Sequence, residues 1–324
     1  APSVGATKYA AEFLKIGVGA RALGMGSSFV ALADDGSASW WNPAGLARME
    51  RAEMLFMHAE QFGSLANHDF IGFVQPLSGG GSRSAVGIGL IRFAVDDILI
   101  TKDAYDDLNG NGRWDPAHRD DTGTMVAAEP IRSDRFRRAS DDEWGLLLSY
   151  ARLFSDRLSV GGNLKMIRQG LVDNTSFGMG LDLGVLYRAT DQIRVGAHLS
   201  DVTSTPITWD TGRRETITPS LRLGAAWTRP LSGLRSSITA GIGLASSFDG
   251  RNEVSQASSG AWGGDFQGGL EYWYRGAFAA RIGSDAGDLT AGAGLRYRSL
   301  GADYAYLSHE ELDATHRVSA SVRF

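Results

Sequence analysis

From residue 52 to the carboxyl terminus the chain alternates between apolar and small or polar side chains, in segments longer than those of most soluble sheets. A period of two places successive side chains on opposite faces of a strand, whereas a helix would repeat every three to four residues. The clearest run is SFGMGLDLGVLYR, where Phe177, Met179, Leu181, Leu183, Val185 and Tyr187 share one face. Gly178, Gly180, Asp182, Gly184 and Arg188 share the other, with Leu186 the exception. The same alternation sets Leu158, Val160, Leu164 and Met166 against Ser159, Gly161, Asn163 and Lys165, and Phe266, Leu270, Tyr272 and Tyr274 against Gln267, Gly269, Glu271 and Trp273. Fourteen segments follow this rule: 52–60, 68–76, 84–95, 143–153, 156–169, 175–189, 191–202, 217–229, 235–247, 262–274, 277–284, 288–298, 300–308 and 314–324. Soluble sandwiches alternate too, but their strands average about 5–6 residues, and a tilted strand crossing a bilayer needs about 9–11.

The connections decide further. FSD near 154–156, ATDQ near 189–192, RPLSG at 229–233, YRG at 274–276 and SLG at 299–301 are compact, whereas 96–142, 203–216 and 248–261 are long. Short turns at one end and long loops at the other are the arrangement of an outer-membrane barrel, with both termini on the periplasmic side when the strand number is even. The expected fold is therefore all-β, a transmembrane antiparallel barrel of 14 strands spanning 51–324 behind a short plug or periplasmic cap at 1–50, with 12 and 16 the neighbouring even counts. Glycine, 42 of 324 residues, then lines the crowded inner face and leaves room for a plug. Trp144, Tyr150, Trp227, Trp273, Tyr297 and Tyr306 lie near segment ends as candidates for interface girdles.

Composition removes other classes. A net charge of -5 argues against a nucleic-acid partner, and the absence of cysteine removes disulfides, thiolate metal sites and cysteine nucleophiles. The opening APSVGATKYA, without an initiator Met, is expected of a mature product whose signal peptide has been removed.

Residues 20–47 read ARALGMGSSFVALADDGSASWWNPAGLA. Gly19-Ala20-Arg21-Ala22, Gly24-Met25-Gly26, Asp34-Asp35 and Trp41-Asn42-Pro43-Ala44-Gly45-Leu46-Ala47 together resemble the amino-terminal signature of the FadL superfamily (OMPP1/FadL/TodX-like), and especially its PorV/PorQ-like branch. The resemblance implies a barrel with an amino-terminal hatch and a lateral route for hydrophobic ligands. Physically, Phe29, Val30, Leu32 and Ala33 would form the apolar side of a short helix, Asp34-Asp35-Gly36 would turn the chain, and Asn42-Pro43 would break it. Arg21 with Asp34 or Asp35 would make a buried polar pair holding the plug. At the other end THRVSASVRF places Val318, Ala320, Val322 and Phe324 on one face and looks like the terminal assembly signal of outer-membrane barrels.

The long loop carries Asp107-x-Asn109-x-Asn111-Gly112 followed by Asp115, oxygen ligands two apart around a glycine turn, as at the start of an EF-hand calcium loop. The twelfth position is His118 instead of glutamate, leaving Asp120 to supply a carboxylate to Ca2+. The basic stretch IRSDRFRRAS in the same loop would bind lipopolysaccharide phosphate or a partner carboxylate. GGGSR at 79–83 lacks the continuation of a phosphate loop, no GxSxG elbow appears, and the six histidines, His309 among them, have no metal spacing, so a non-enzymatic protein is expected.

The PorV-like resemblance implies a barrel in the bacterial outer membrane that serves type IX secretion, docking the translocon or secreted cargo domains through the loops at 96–142, 203–216 and 248–261. The alternatives are a FadL-like transporter of fatty acids or other hydrophobic compounds, and a membrane anchor of a surface assembly.

Overall fold

A computed structural model describes residues 10–61, 65–77, 83–250, 255–308 and 314–324. Most of the turn read at 79–83, and His309, lie outside these residues. Fourteen strands close into an antiparallel barrel: β1 Glu53–Gln61, β2 Ala66–Leu77, β3 Ser84–Ile100, β4 Arg137–Leu153, β5 Leu158–Leu171, β6 Asn174–Arg188, β7 Ile193–Ser200, β8 Ser220–Leu231, β9 Ser236–Ser247, β10 Trp262–Tyr274, β11 Phe278–Asp285, β12 Asp288–Tyr297, β13 Leu300–Leu307 and β14 Thr315–Arg323. Each pairs with its sequence neighbours, and β14 returns to β1 in the register Arg323↔Glu53 to Glu60↔His316, so the sheet has no edge.

The alternation sorts as the pattern requires, with the oily face turned outward. On β6, Phe177, Met179, Leu181, Leu183, Val185 and Tyr187 are 39–53% exposed, while Ser176, Gly178, Gly180, Asp182, Gly184 and Leu186 are buried. An apolar belt on the outside of a closed barrel is stable only against lipid, so the chain is a transmembrane barrel of the bacterial outer membrane. Trp144, Tyr150, Trp227, Tyr297 and Tyr306 stand on outward-facing strand positions, but Trp273 points inward and is buried beneath Arg296, 4.4 Å from the ring centroid.

Two long loops are more structured than expected. Strands β3 and β4 extend to Ile100 and Arg137, shortening the largest loop from both sides, and their ladder shifts by one residue between Val95 and Ile98, where Asp97 takes φ 60°. The stretch after β7 contains a small hairpin, Thr205–Trp209 against Arg214–Ile217, whose first strand also pairs with β6 at 176–178. Asp201 and Ser204, both at positive φ, kink the chain between β7 and this hairpin.

The amino-terminal segment fills the barrel. It contains two short helices, α1 Ala20–Gly24 and α2 Ala38–Trp41, and a 3-10 helix Pro43–Arg48, and nearly every residue from 17 to 47 is buried. The expected helix over 29–33 is absent. Ser27 and Ala33 adopt left-handed φ of 56° and 36°, and the chain between them runs as turns that lay Phe29 against Trp41, with centroids 5.9 Å apart. Here packing inside the barrel outweighs helix propensity.

Candidate functional site

The plug meets the wall through the residues of the amino-terminal motif. Arg21 leaves α1 and reaches β10, where Nε and Nη2 donate to the two Glu271 carboxylate oxygens at 2.8 and 2.9 Å. Its Nη1 donates to Asp34 at 2.6 Å and lies 3.6 Å from Asp35. Glu271 also accepts from Arg281 Nε at 2.7 Å, Arg281 pairs with Asp303 at 2.8 Å, and Arg194 reaches Asp34 at 3.3 Å. Burial raises the Asp34 carboxyl, but Arg21 and Arg194 outweigh it and hold the group well below the usual carboxylate range. The expected pair of Arg21 with the acidic dipeptide is thus one corner of a network whose principal carboxylate, Glu271, lies 250 residues away. Strand parity already put Glu271 on the inward face beside Gly269, but nothing in the spacing joined it to Arg21.

The other motif residues fasten the plug at further points. Asn42 donates to the carbonyls of Val30 at 2.9 Å and Val185 at 3.0 Å and accepts from Ala44 N–H at 3.1 Å, so it caps the helix that Pro43 begins. Asp35 accepts from Ser37 N–H at 2.9 Å. Gly26, at φ 57°, donates to Thr290 Oγ1 at 3.0 Å, and Gly24 lies against Gly292. Ala20 N–H donates to Ser319 at 2.9 Å and Arg317 Nη1 to the Gly17 carbonyl at 2.9 Å, tying the plug to β14. Val322 and Phe324 lie at the closure seam, with Phe324 N–H donating to the Ala52 carbonyl at 2.9 Å.

Two cavities lie on opposite sides of this plug and share no lining residue. The outer one, about 240 Å3, is walled by Trp40, Trp41, Arg222, Ser246, Gln267 and Asp285. Arg222 stacks on Trp40 at 4.1 Å, and Trp40 in turn meets Trp41 edge-on at 4.5 Å. The periplasmic one, about 360 Å3, is lined by Arg48, Arg188, Asp191, Arg194 and Thr228 among others.

The long outer loop gathers four of the five residues read as oxygen ligands and leaves the fifth apart. Asp107 accepts N–H bonds from Gly110, Asn111 and Gly112 at 2.7, 3.1 and 2.8 Å, and these bonds, the Gly112 contact first, hold its carboxyl below the ordinary value. The Asn109 and Asn111 side-chain amides donate to Asp115, so these four residues do come together. Asp120 does not join them: it accepts from Thr122 and Thr124 in a turn of its own. Among the described residues no three acidic or histidine side chains are grouped to hold a metal ion. The short side chains of Asp107, Asn109 and Asn111 serve the backbone of tight turns, which is the other use of this spacing. The arginines intended for lipopolysaccharide or cargo are also engaged, Arg132 and Arg135 with Asp106 at 2.8 and 3.0 Å, Arg137 with Asp173 at 2.6 Å, and Arg138 with Asp97 at 3.0 Å.

Solved structures with the same architecture align along almost the whole molecule. The toluene transporter TbuX of Ralstonia pickettii matches with 15% identity and a TM-score of 0.55, covering 95% of this chain and 98% of its own. The toluene transporter TodX of Pseudomonas putida gives 13% and 0.56 with 95% and 97% covered, and a FadL homologue of Pseudomonas aeruginosa gives 13% and 0.56 with 95% and 98%. The fold is that of the FadL-type barrels. In sequence, residues 3–94 match the model of an uncharacterised protein family, UPF0164, and no curated protein matches significantly. The expectation of a PorV-like barrel serving type IX secretion is overturned, since the structures matched end to end are toluene transporters and a FadL homologue. The physical reason lies in the motif itself: its residues seat the plug against the wall, so they report the fold and say nothing of a secretion partner.

Proposed function

We propose that this barrel carries small hydrophobic molecules across the outer membrane, without bond chemistry, and that the amino-terminal plug is its gate. The observation that carries the reading is the pair of separate cavities, about 240 and 360 Å3, on either side of a plug that fills the lumen. A molecule entering from outside meets the Trp40–Trp41 wall first and can go no further until the plug yields. By volume the outer cavity has room for a single-ring hydrocarbon, which would rest on Trp40 and Trp41 while Lys15, Arg222, Asp265 and Asp285 line the rest. The toluene transport named for TbuX and TodX supports the same cargo class. Arg21, Asp34, Asp35, Asn42, Pro43, Gly24 and Gly26 serve in this reading as fastenings of the gate, and Phe324 as an assembly signal at the barrel seam.

Uptake of labelled toluene by intact Gram-negative cells, whose lipopolysaccharide leaflet slows hydrocarbon entry as a phospholipid vesicle does not, tests the proposal, with labelled arabinose as the polar control. Toluene entry should exceed that of cells lacking the barrel in proportion to the folded barrel present, and arabinose entry should not. Equal toluene entry with and without the barrel would overturn it.

A further inference from the structure

A groove of about 610 Å3 runs along the lipid-facing wall where β3, β4, β5 and β6 meet. Its origin is one outward-facing residue without a side chain. In the cross-strand row Val86–Tyr150–Gly162–Leu183, Gly162 stands directly between Tyr150 and Leu183 and leaves a notch where its neighbours project. The next row toward the outer side, Ile88–Leu148–Leu164–Leu181, is wholly aliphatic and continues the groove. The next row toward the periplasm is Ser84–Arg152–Val160–Val185, so Arg152 stands exposed one row beyond the periplasmic end of the groove.

Arg152 is held at the level of the membrane interface. Its guanidinium carbon lies 5.7 Å from the centroid of Phe154, which is 65% exposed at the end of the strand. The same arrangement recurs at two other short turns, with Arg275 5.1 Å from the Tyr274 ring centroid and Arg298 5.3 Å from that of Tyr297. Aromatic rings settle at the boundary between hydrocarbon and headgroups, and a cation on such a ring is placed among lipid phosphates. Asp156 and Arg157 in the adjoining turn, Glu50 with Arg83 3.7 Å away, and Arg48 and Arg188 on the lumen side are further charges of this part of the rim.

We propose that this groove is a binding site for one anionic diacyl glycerophospholipid of the periplasmic leaflet. An acyl chain lies in the notch over Gly162 and along Leu148, Leu164 and Leu181, and the phosphate meets Arg152, with the Tyr150 hydroxyl beside it. The site faces lipid, apart from the lumen and plug, and is independent of the transport reading.

Native mass spectrometry of the delipidated barrel in detergent tests it, with dioleoyl phosphatidylglycerol and dioleoylglycerol as probes. The folded wild-type barrel should retain a single phosphatidylglycerol and at most traces of the diacylglycerol. Gly162→Phe fills the notch from the lipid side and Arg152→Gln removes the charge, and each should lower the retained fraction at least fivefold. Ile242→Phe, on the lipid face of β9, should leave it unchanged. Undiminished retention by Gly162→Phe, equal retention of the two probes, or an equal loss with Ile242→Phe would each overturn the proposal. Only the folded species is counted, so a misfolded variant cannot imitate a loss of binding.

Discussion

Glu271 accepts two hydrogen bonds from Arg21 of the plug and a third from Arg281 beside it on the wall, while buried to 1% exposure. Neutralising it leaves two guanidiniums facing each other out of water. Removing one partner of a buried ion pair costs about 3–5 kcal/mol, so Glu271→Gln should unfold at clearly lower denaturant concentration than wild type, read from the loss of the compact folded form. An unchanged midpoint would mean that Asp303 and Asp34 suffice to neutralise the cluster. Asp34 gives a pH signature of the same network. Its folded pKa is depressed by Arg21 and Arg194, so the unfolded chain binds the proton more readily. Its stabilisation is therefore complete above about pH 4, the value of a free aspartate, and is lost as pH falls below that through the depressed folded value. Asp34→Asn should be less stable than wild type at pH 7 and should show a shallower decline below pH 4. Parallel acid limbs for the two proteins would refute this.

At the scale of elements, glycine is the device that lets a plug of backbone thickness fit inside fourteen strands. Gly241 on β9 lies so close to the plug that an added Cβ would stand 2.7 Å from the Ser28 carbonyl oxygen, and at Gly161 on β5 it would stand 2.5 Å from Pro43 backbone. Gly161→Leu should therefore displace the Pro43–Arg48 turn while leaving the strand ladder intact. Overpacking of this kind costs about 1–3 kcal/mol. Protease cleavage within residues 17–49 of the folded barrel should speed up by at least tenfold, whereas Gly162→Leu, one residue along and facing lipid, should cleave at the wild-type rate. These two neighbours also mark how much the sequence could tell. Period two showed the inward face and the parity of the turns and pointed to fourteen strands, with twelve and sixteen left open, because each depends on local alternation while strand boundaries do not. Which inward glycine meets which plug residue depends on where Asn42 and Pro43 come to lie across the barrel, and no local pattern encodes that. The helix expected at 29–33 failed for the same reason: those residues satisfy the wall around them ahead of their own propensity. The calcium-like spacing has two readings, because Asp and Asn at alternate positions serve tight turns as well as they serve a cation.

For the whole molecule the question is whether transport needs the plug to move, and the cysteine-free sequence allows a direct answer. A Cβ at Gly241 would lie 3.4 Å from the Ser28 Cβ, close to the 3.5–4.5 Å or so that a disulfide spans, and the two positions join the middle of the plug to the middle of β9. The double variant Ser28→Cys/Gly241→Cys should thus form a bond that fixes gate to wall, with no other thiol to compete. The single variants separate the effect of the added Cβ atoms from that of the bond. If passage runs through the lumen, intact cells carrying the oxidised double variant should lose nearly all toluene entry above that of cells lacking the barrel, and reduction should restore it to the level of the single variants. If the plug is static and molecules pass around the barrel or not at all, oxidation and reduction will give the same rate. The outer cavity remains accessible in both forms, so toluene should still bind there when the bond is closed. Binding without entry would locate the barrier in the plug, between the Trp40–Trp41 wall and the periplasmic mouth.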